Sequence, residues 1–376
     1  MHVSHEGIGE RSRALRWVLR QARAAANGEP QQVFAAMRNP TAPGCLPDGT
    51  RAQRRDREMV KLGYKLMAEE HGPAALVRNT VHAEQAGFTF AAISDHFFPW
   101  LDKQGHAPFA WSVLGAAAQA TRQIQLMTAV TCPIMRYHPA IIAQGAATMA
   151  VLSENRFILG LGAGERLNEH VVGEGWPGIG ERHERLSEAY DIIRGLLDGS
   201  IENYRGKYFT LDDAKLYDRP DHAPAIIGAA GGPEAARLAG RKADGMITTV
   251  PQSDLIEAFR SAGGKGPLYA EVPMCYAASE DKAREIAHRY HRWSLAGGSV
   301  MPELPDTGAF AAASSHITPD HVAEEVSLGP SPEAHLEAIR EYIDAGFDHL
   351  ILTQIGPEQD PFFEFFEREL RHTLLS

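Results

Sequence analysis

The sequence predicts an α/β fold, a (β/α)8 or TIM barrel with insertions, from three observations. Short apolar runs alternate with helical patterns eight times after Val60. Such alternation is typical of parallel α/β sheets, and eight repeats indicate that the sheet closes into a barrel. The chain has 376 residues, which accommodates a barrel of roughly 250 residues together with insertions. A doubly wound open sheet is the alternative.

The individual elements follow from this alternation. The predicted strands are the apolar runs that lack a helical period, and they cover residues 60–66, 88–94, 124–130, 156–161, 225–230, 245–250, 268–276 and 349–354. The predicted helices cover residues 73–87, 108–121, 138–153, 181–198, 233–243, 253–262, 280–295 and 332–345. Two further stretches interrupt the alternation. Residues 199–224 predict a small hairpin, and the Gly-, Pro- and Ala-rich residues 296–330 predict a lid or loop over one face.

The first 58 residues differ from the rest of the chain. Residues 11–26 could form a basic amphipathic helix, and a Pro- and Gly-containing stretch follows them. A packed cap helix, a mobile arm and a wrongly chosen start codon are three interpretations. We expect an accessory N-terminal extension, residues 1–58, outside a catalytic barrel domain of residues 59–376.

Composition excludes several classes of partner. The net charge of −11 argues against nucleic-acid binding. No apolar stretch approaches the ~18 residues of a membrane helix. Three widely spaced cysteines form no disulfide or metal pattern, which favours a reducing, cytoplasmic setting. We therefore expect a small-molecule substrate, neither nucleic acid nor membrane as a partner, and a homodimer.

Polar residues stand at the ends of several predicted strands. His96 follows the second run, and Glu69 and Glu165 follow the first and the fourth. In a barrel these ends form the active-site face. A histidine and two carboxylates, with Trp100 as a flat platform, could therefore serve as a general acid–base site. The alternatives are a capping aspartate before a structural histidine, solvated carboxylates and a core tryptophan.

Two glycine-containing turns could meet a ligand. Gly231 and Gly232 precede Pro233 after the fifth run. They could form a tight turn, but we favour backbone N–H groups that are presented to a phosphate. Residues 160–164 resemble a dinucleotide fingerprint, yet no acidic strand end follows about 20 residues later.

No metal site is expected from the histidines. His288 and His291 lie three residues apart on a predicted helix, a spacing that could bind a metal ion. Without a third ligand nearby, a solvated or partly buried pair is the favoured interpretation.

Collinear motifs over roughly 300 residues carry a resemblance to a known family. They lie at residues 61–65, 94–97 with 99–100, 106–109, 136–140, 162–169 and 229–233. From Lys61 onward the chain resembles the luciferase-like flavin and deazaflavin oxidoreductases. More narrowly, it is similar to the coenzyme F420-dependent glucose-6-phosphate dehydrogenase group.

The resemblance implies a barrel that binds F420 at its C-terminal face. By position, His96 would take the proton from the substrate hydroxyl, and Glu165 would be the acid near the deazaflavin ring nitrogen. Trp100 and Glu69 would shape the substrate side. The peptide bond between Ala129 and Val130 would be cis. The residues that would contact the cofactor are Asp95, Ala129, Val130, Cys132, Ala163, Asn168, Ala229, Ala230, Gly231 and Gly232.

Some positions depart from this group. Gln252, Met301 and Glu325 stand where the sugar-phosphate enzymes carry a basic trio. A carboxylate or a thioether cannot replace charge-assisted bonds to a phosphate. Cys132 also replaces a more usual threonine. We therefore expect hydride transfer between an alcohol or carbonyl compound, other than glucose 6-phosphate, and C5 of the deazaflavin.

Two other functions compete with this one. The first is an FMN-dependent monooxygenase of the wider luciferase-like group, with a reductase partner. The second is a non-catalytic barrel that only binds a flavin or deazaflavin. His96 and Glu165 argue against the second, because a pure binder needs no acid and base.

Overall fold

Eight parallel strands close into a barrel within residues 60–375, the part of the chain that this computed structural model describes. They are β1 (Lys61–Leu66), β2 (Phe90–Ile93), β3 (Gln125–Thr128), β4 (Phe157–Leu161), β5 (Ile226–Ala229), β6 (Gly245–Thr248), β7 (Leu268–Cys275) and β8 (His349–Gln354). Each strand pairs with its neighbours in the chain, and β8 pairs with β1. The barrel is therefore confirmed, and the open sheet is wrong. The predicted N-terminal extension lies outside the described residues.

Eight helices match the predicted helical patterns. They are α1 (Pro73–Ala86), α2 (Ala110–Ala120), α3 (Pro139–Leu152), α4 (Ile179–Asp198), α5 (Pro233–Lys242), α6 (Ser253–Ser261), α7 (Glu280–His291) and α8 (Pro332–Ala345). Proline in the first turn favours the start of several of them. Gly87 ends α1 at φ 91°, a conformation that an L-residue with a side chain adopts at a cost. Among the described residues, no helix is both long and apolar enough to cross a membrane.

A C-terminal helical segment after β8 was not among the predicted elements. It runs from Asp360–Phe365 through a π-helical turn, Phe366–Leu370, to Arg371–Leu375. Its phenylalanines are buried against β1 and α1 through ring contacts such as that of Phe363 with Tyr64. Four phenylalanines within five residues obscure the helical period, because apolar residues then lie on more than one face of the helix.

Side chains from alternate strand positions fill the barrel interior. This interior cluster contains Phe90, Ala92, Met127, Ala129, Ile158, Ile227, Ile247, Tyr269 and Ile351. Nearer the C-terminal ends of the strands, Lys65 Nζ lies 2.6 Å from Glu271 Oε1 and donates to Ala129 O at 3.2 Å. Polar side chains therefore line the barrel interior above the apolar cluster, towards the C-terminal ends of the strands.

Both predicted interruptions are insertions. Tyr204–Arg205 and Thr210–Leu211 pair as an antiparallel hairpin, which confirms the first prediction. The second, residues 296–330, contains short helices as well as loops: Met301–Glu303, Thr307–Ala313 and Pro319–Ala323. Capping side chains at Asp306 and Thr318 start the latter two. Part of this segment packs on Trp100, the residue that follows His96 by four positions.

Candidate active site

The barrel brings His96 and Glu69 together at its C-terminal face. The Nδ1 atom of His96 lies 3.1 Å from Oε1 of Glu69, and both side chains are almost completely buried. Ser94 Oγ donates to the other carboxylate oxygen at 3.1 Å. The Nδ1 atom nevertheless has no hydrogen-bond partner of regular geometry within residues 60–375. The contact is therefore electrostatic, and it places the Glu69 carboxylate directly beside the imidazole, an arrangement that the resemblance did not specify.

Trp100 lies in an aromatic cluster beside His96. Its ring meets the His96 ring edge-on at 4.7 Å and stacks on the Trp293 ring at 4.2 Å with an interplanar angle of 10°. Phe310 contacts Trp100 edge-on at 5.0 Å. Trp293 and Phe310 were not identified from the sequence, and the only signal was their position around an Ala- and Gly-rich insertion. The side of the site next to His96 is thus aromatic and apolar.

The Asp95 carboxylate is buried and accepts hydrogen bonds from four side chains. Thr131 Oγ1 donates at 2.7 Å, Trp111 Nε1 and Tyr137 OH at 3.1 Å, and Arg136 Nη2 at 3.2 Å. These bonds join the end of β2 to the end of β3 and to α2. Arg136 Nη2 also donates to the backbone carbonyl oxygen of Asp95 at 2.7 Å. Asp95 therefore fixes the shape of the site through bonds within the protein, and its contact with a cofactor stays a prediction.

Asn168 holds the chain that follows His96. Its Oδ1 atom accepts from the backbone N–H groups of Phe97 at 2.9 Å and Phe98 at 3.2 Å. Its Nδ2 atom is buried and has no hydrogen-bond partner within residues 60–375. A buried, unpaired donor costs free energy. This donor therefore fits the acceptor atoms of a deazaflavin or flavin bound beside it.

The predicted residues after β3 lie at the mouth of the barrel. The peptide bond between Ala129 and Val130 is cis, as the resemblance implies. Cys132 is buried, and this burial, with Glu169 and Glu165 nearby, raises the pKa of its thiol well above the usual value. The thiol is therefore protonated at neutral pH and can offer only a weak hydrogen bond.

The glycines of residues 160–164 are explained by close packing between β4 and the end of β3. A Cβ atom at Gly160 would overlap the carbonyl oxygen of Thr128, and one at Gly162 would lie 2.6 Å from Val130 Cγ2. Gly160 therefore allows two backbones to approach each other, and Gly162 leaves room for the Val130 side chain. The dinucleotide-fingerprint interpretation has no support from this geometry.

Gly160→Ala is expected to lower the free energy of unfolding by about 1–3 kcal/mol, because the new methyl group has to displace backbone atoms. Urea denaturation of both proteins would measure this change. Gly115→Ala on α2 is a matched control, since a Cβ atom there meets nothing within 4 Å. It should leave stability unchanged or raise it by up to about 1 kcal/mol. Equal effects of both substitutions would contradict the packing explanation.

Two further predicted parts of the site, the glycine pair at 231–232 and Glu165, have space or free polar atoms for a ligand. Gly232 precedes α5 as its N-cap and makes no side-chain capping bond, and Cβ atoms at Gly231 and Gly232 would meet nothing within 4 Å.

Glu165 precedes the short helix Arg166–Glu169. Its partly exposed carboxylate makes no hydrogen bond or ion pair with the rest of the described chain. Ala163 and Ala229 are partly exposed near these positions, whereas Ala230 is buried and donates its N–H to Ile247 O.

The positions of the basic trio carry no positive charge. Gln252 is exposed and precedes α6, and Glu325 is exposed beyond Pro319–Ala323. Met301 packs with the cluster around Trp100.

The two histidines considered as metal ligands, His288 and His291, lie in different environments. His288 Nε2 lies 2.9 Å from Ile317 O, and burial lowers the pKa of His291 to about 4. Within residues 60–375, no group of three or more His, Cys, Asp and Glu side chains could hold a metal ion.

Comparisons with known proteins identify the family and support the fold. Residues 59–349 match the family described as luciferase-like monooxygenase. An F420-dependent glucose-6-phosphate dehydrogenase of Rhodococcus erythropolis is 38% identical over 330 residues, which cover 83% of this chain and 96% of that protein. The corresponding protein of Amycolatopsis mediterranei is 35% identical over 326 residues, with coverages of 83% and 98%. The solved structure of an F420-dependent secondary alcohol dehydrogenase with an F420–acetone adduct has a TM-score of 0.78 and 27% identity, with coverages of 83% and 98%.

Proposed function

The chain belongs to the luciferase-like family, and from this membership we propose that it is a coenzyme F420-dependent oxidoreductase that acts on a neutral alcohol or carbonyl compound. The observation that carries the proposal is the buried contact between His96 and Glu69 beside the aromatic ring of Trp100. A base that is oriented by a carboxylate and faces a ligand platform suits proton removal from a hydroxyl group. The relatives named above are named as F420-dependent enzymes, so FMN is the less favoured cofactor.

The residues at the mouth fit a deazaflavin. Asn168 offers an unpaired buried donor, and Gly231 and Gly232 offer open backbone at the start of α5. The N-terminus of a helix favours a phosphate group. When bound, the deazaflavin supplies a hydride acceptor or donor at its C5 atom. Ala129 and Val130 lie after β3 at the same face and would pack against it.

Proton movement is assigned to two side chains. His96 Nε2 takes the proton of the substrate hydroxyl during oxidation and returns it during reduction, while Glu69 stabilises the imidazolium that forms. Glu165, whose carboxylate has no partner within the described residues, holds the proton for the cofactor ring nitrogen. The two groups thus act on separate partners, one on the substrate and one on the cofactor.

The substrate side supports a neutral, apolar compound. Trp100 is almost fully buried between the partly exposed Trp293 and the fully buried Phe310, and the partly exposed Met301 packs against the same cluster. Burial of the exposed parts of this cluster against a ligand favours apolar groups. The acetone adduct of the secondary alcohol dehydrogenase is consistent with a small neutral alcohol or ketone.

A homodimer, a cytoplasmic location and an accessory role for residues 1–58 complete the proposal. Cys132 and Cys275 are buried, unpaired thiols, which suits a reducing compartment. Size-exclusion chromatography with light scattering would test the dimer.

Cofactor choice can be tested by titration. F420 is expected to bind with a micromolar or lower Kd and FMN more weakly, because the relatives named above are F420-dependent. Fluorescence titration of one protein preparation with both compounds would measure the two Kd values. Tighter binding of FMN would instead favour the monooxygenase function.

A further inference from the structure

Two consecutive carboxyl groups at the end of β1 face different neighbours. Glu69 contacts His96, whereas Glu70 is buried between the chain after β8 and the chain after β2. The N–H of Gly356 donates to Glu70 Oε2 at 2.7 Å, and Gln104 Nε2 donates to Glu70 Oε1 at 3.3 Å. Glu70 therefore links the segments that follow β1, β2 and β8.

The other end of the Gln104 amide holds the loop that carries Trp100. Gln104 Oε1 accepts from the backbone N–H of Trp100 at 2.8 Å and of Leu101 at 3.1 Å. Backbone N–H groups can only donate, so the amide oxygen has to face them and the amide nitrogen has to face Glu70. The two loop N–H groups and the acceptor at residue 70 thus favour the same orientation of the Gln104 amide.

We propose that Glu70 and Gln104 form a positioning pair that holds the Trp100 loop, and with it the indole of Trp100, against Trp293 and His96. The pair touches neither reacting group. It acts through Trp100, whose ring contacts both His96 and the insertion. A displacement of about 1 Å in such a surface can lower catalysis by about 10²-fold. The substrate-side consequence rests on the proposed function, whereas the loop geometry does not.

Glu70 can accept the two hydrogen bonds in either protonation state. Burial raises the pKa of Glu70 to about 8, and the bonds from Gly356 and Gln104 oppose the rise. The carboxyl group is then largely protonated at pH 7. Both of its oxygens can still accept a hydrogen bond, whereas an amide nitrogen at the same place cannot.

Exchange of the two side chains provides the test. In Glu70→Gln, a single amide oxygen faces two donors, so one N–H loses its partner or Gln104 turns over and releases the Trp100 loop. In the double variant Glu70→Gln/Gln104→Glu, the amide now at position 70 can accept from Gly356 and donate to the carboxylate now at position 104. That carboxylate can also accept from both loop N–H groups. We expect Glu70→Gln to lower kcat/KM by about 10²-fold and the exchange to restore it to within about threefold.

A second measurement needs no substrate. Two indoles stacked at 4.2 Å couple their transitions and give paired circular-dichroism bands, which Trp293→Phe would identify by removing them. These bands should be lost in Glu70→Gln and return in the exchange. The F420 Kd, measured by fluorescence, should change by less than about threefold throughout. Glu341→Gln, at an exposed position on α8, is the matched control.

The outcomes separate the two proposals. Restored bands without turnover of any alcohol would support the positioning pair and contradict the proposed function. An exchange variant that is as impaired as Glu70→Gln, or a Glu70→Gln protein with unchanged bands, would overturn the positioning pair. If Glu70→Gln alone does not fold, folding and normal bands of the exchange variant still support the proposal.

Discussion

His96→Ala and Glu165→Gln are each expected to lower kcat by about 10²–10⁴-fold, the usual contribution of a general acid or base. In the proposed mechanism His96 is the proton acceptor beside Glu69, and alanine leaves the substrate hydroxyl without one. Glutamine at residue 165 keeps the shape of the side chain but cannot hold the cofactor proton. The measurement is F420 reduction followed by absorbance with the best alcohol of a panel.

The controls separate chemistry from binding and folding. The F420 Kd should change much less than kcat, because neither side chain is the main support of the cofactor. His372→Ala, which alters an exposed histidine near the C-terminus, should retain full activity. Turnover close to wild type in His96→Ala would remove His96 from the mechanism.

Glucose 6-phosphate is expected to react at least about 10³-fold less efficiently, in kcat/KM, than a good neutral alcohol. By the resemblance described above, Gln252, Met301 and Glu325 stand where the sugar-phosphate enzymes carry a basic trio. Each missing charge-assisted bond costs roughly 1.5–3 kcal/mol. A phosphate dianion near Glu325 would also meet repulsion. The assay follows F420 reduction with the sugar phosphate and with neutral alcohols in parallel.

The alcohol panel gives this prediction its internal control. Secondary alcohols of increasing apolar size should improve as substrates, because the partly exposed members of the cluster around Trp100, such as Trp293 and Met301, gain contact with them. Efficient turnover of glucose 6-phosphate would show that other basic residues, such as Lys265 or Arg292, hold its phosphate.

The eight strands and the strand-end positions of His96 and Glu165 could be predicted from the sequence alone. Buried strands show as short apolar runs, and helices show a period of 3.6 residues, so both signals lie within a few neighbouring residues. Closure of the barrel followed from the count of repeats, and the cis bond at Ala129 followed from the resemblance to a family.

Only the tertiary structure decided how these residues work together. The Glu69 carboxylate meets His96 because β1 and β2 pair side by side and end at the same face. Trp293, which follows α7, stacks on Trp100 although the two residues are far apart in the chain. Glu70 accepts from the N–H of Gly356, a residue 286 positions away. No local period encodes such a contact, since it depends on long-range packing and on which buried donors need an acceptor. The sequence therefore determined which side chains reach the mouth of the barrel, and packing determined which of them touch.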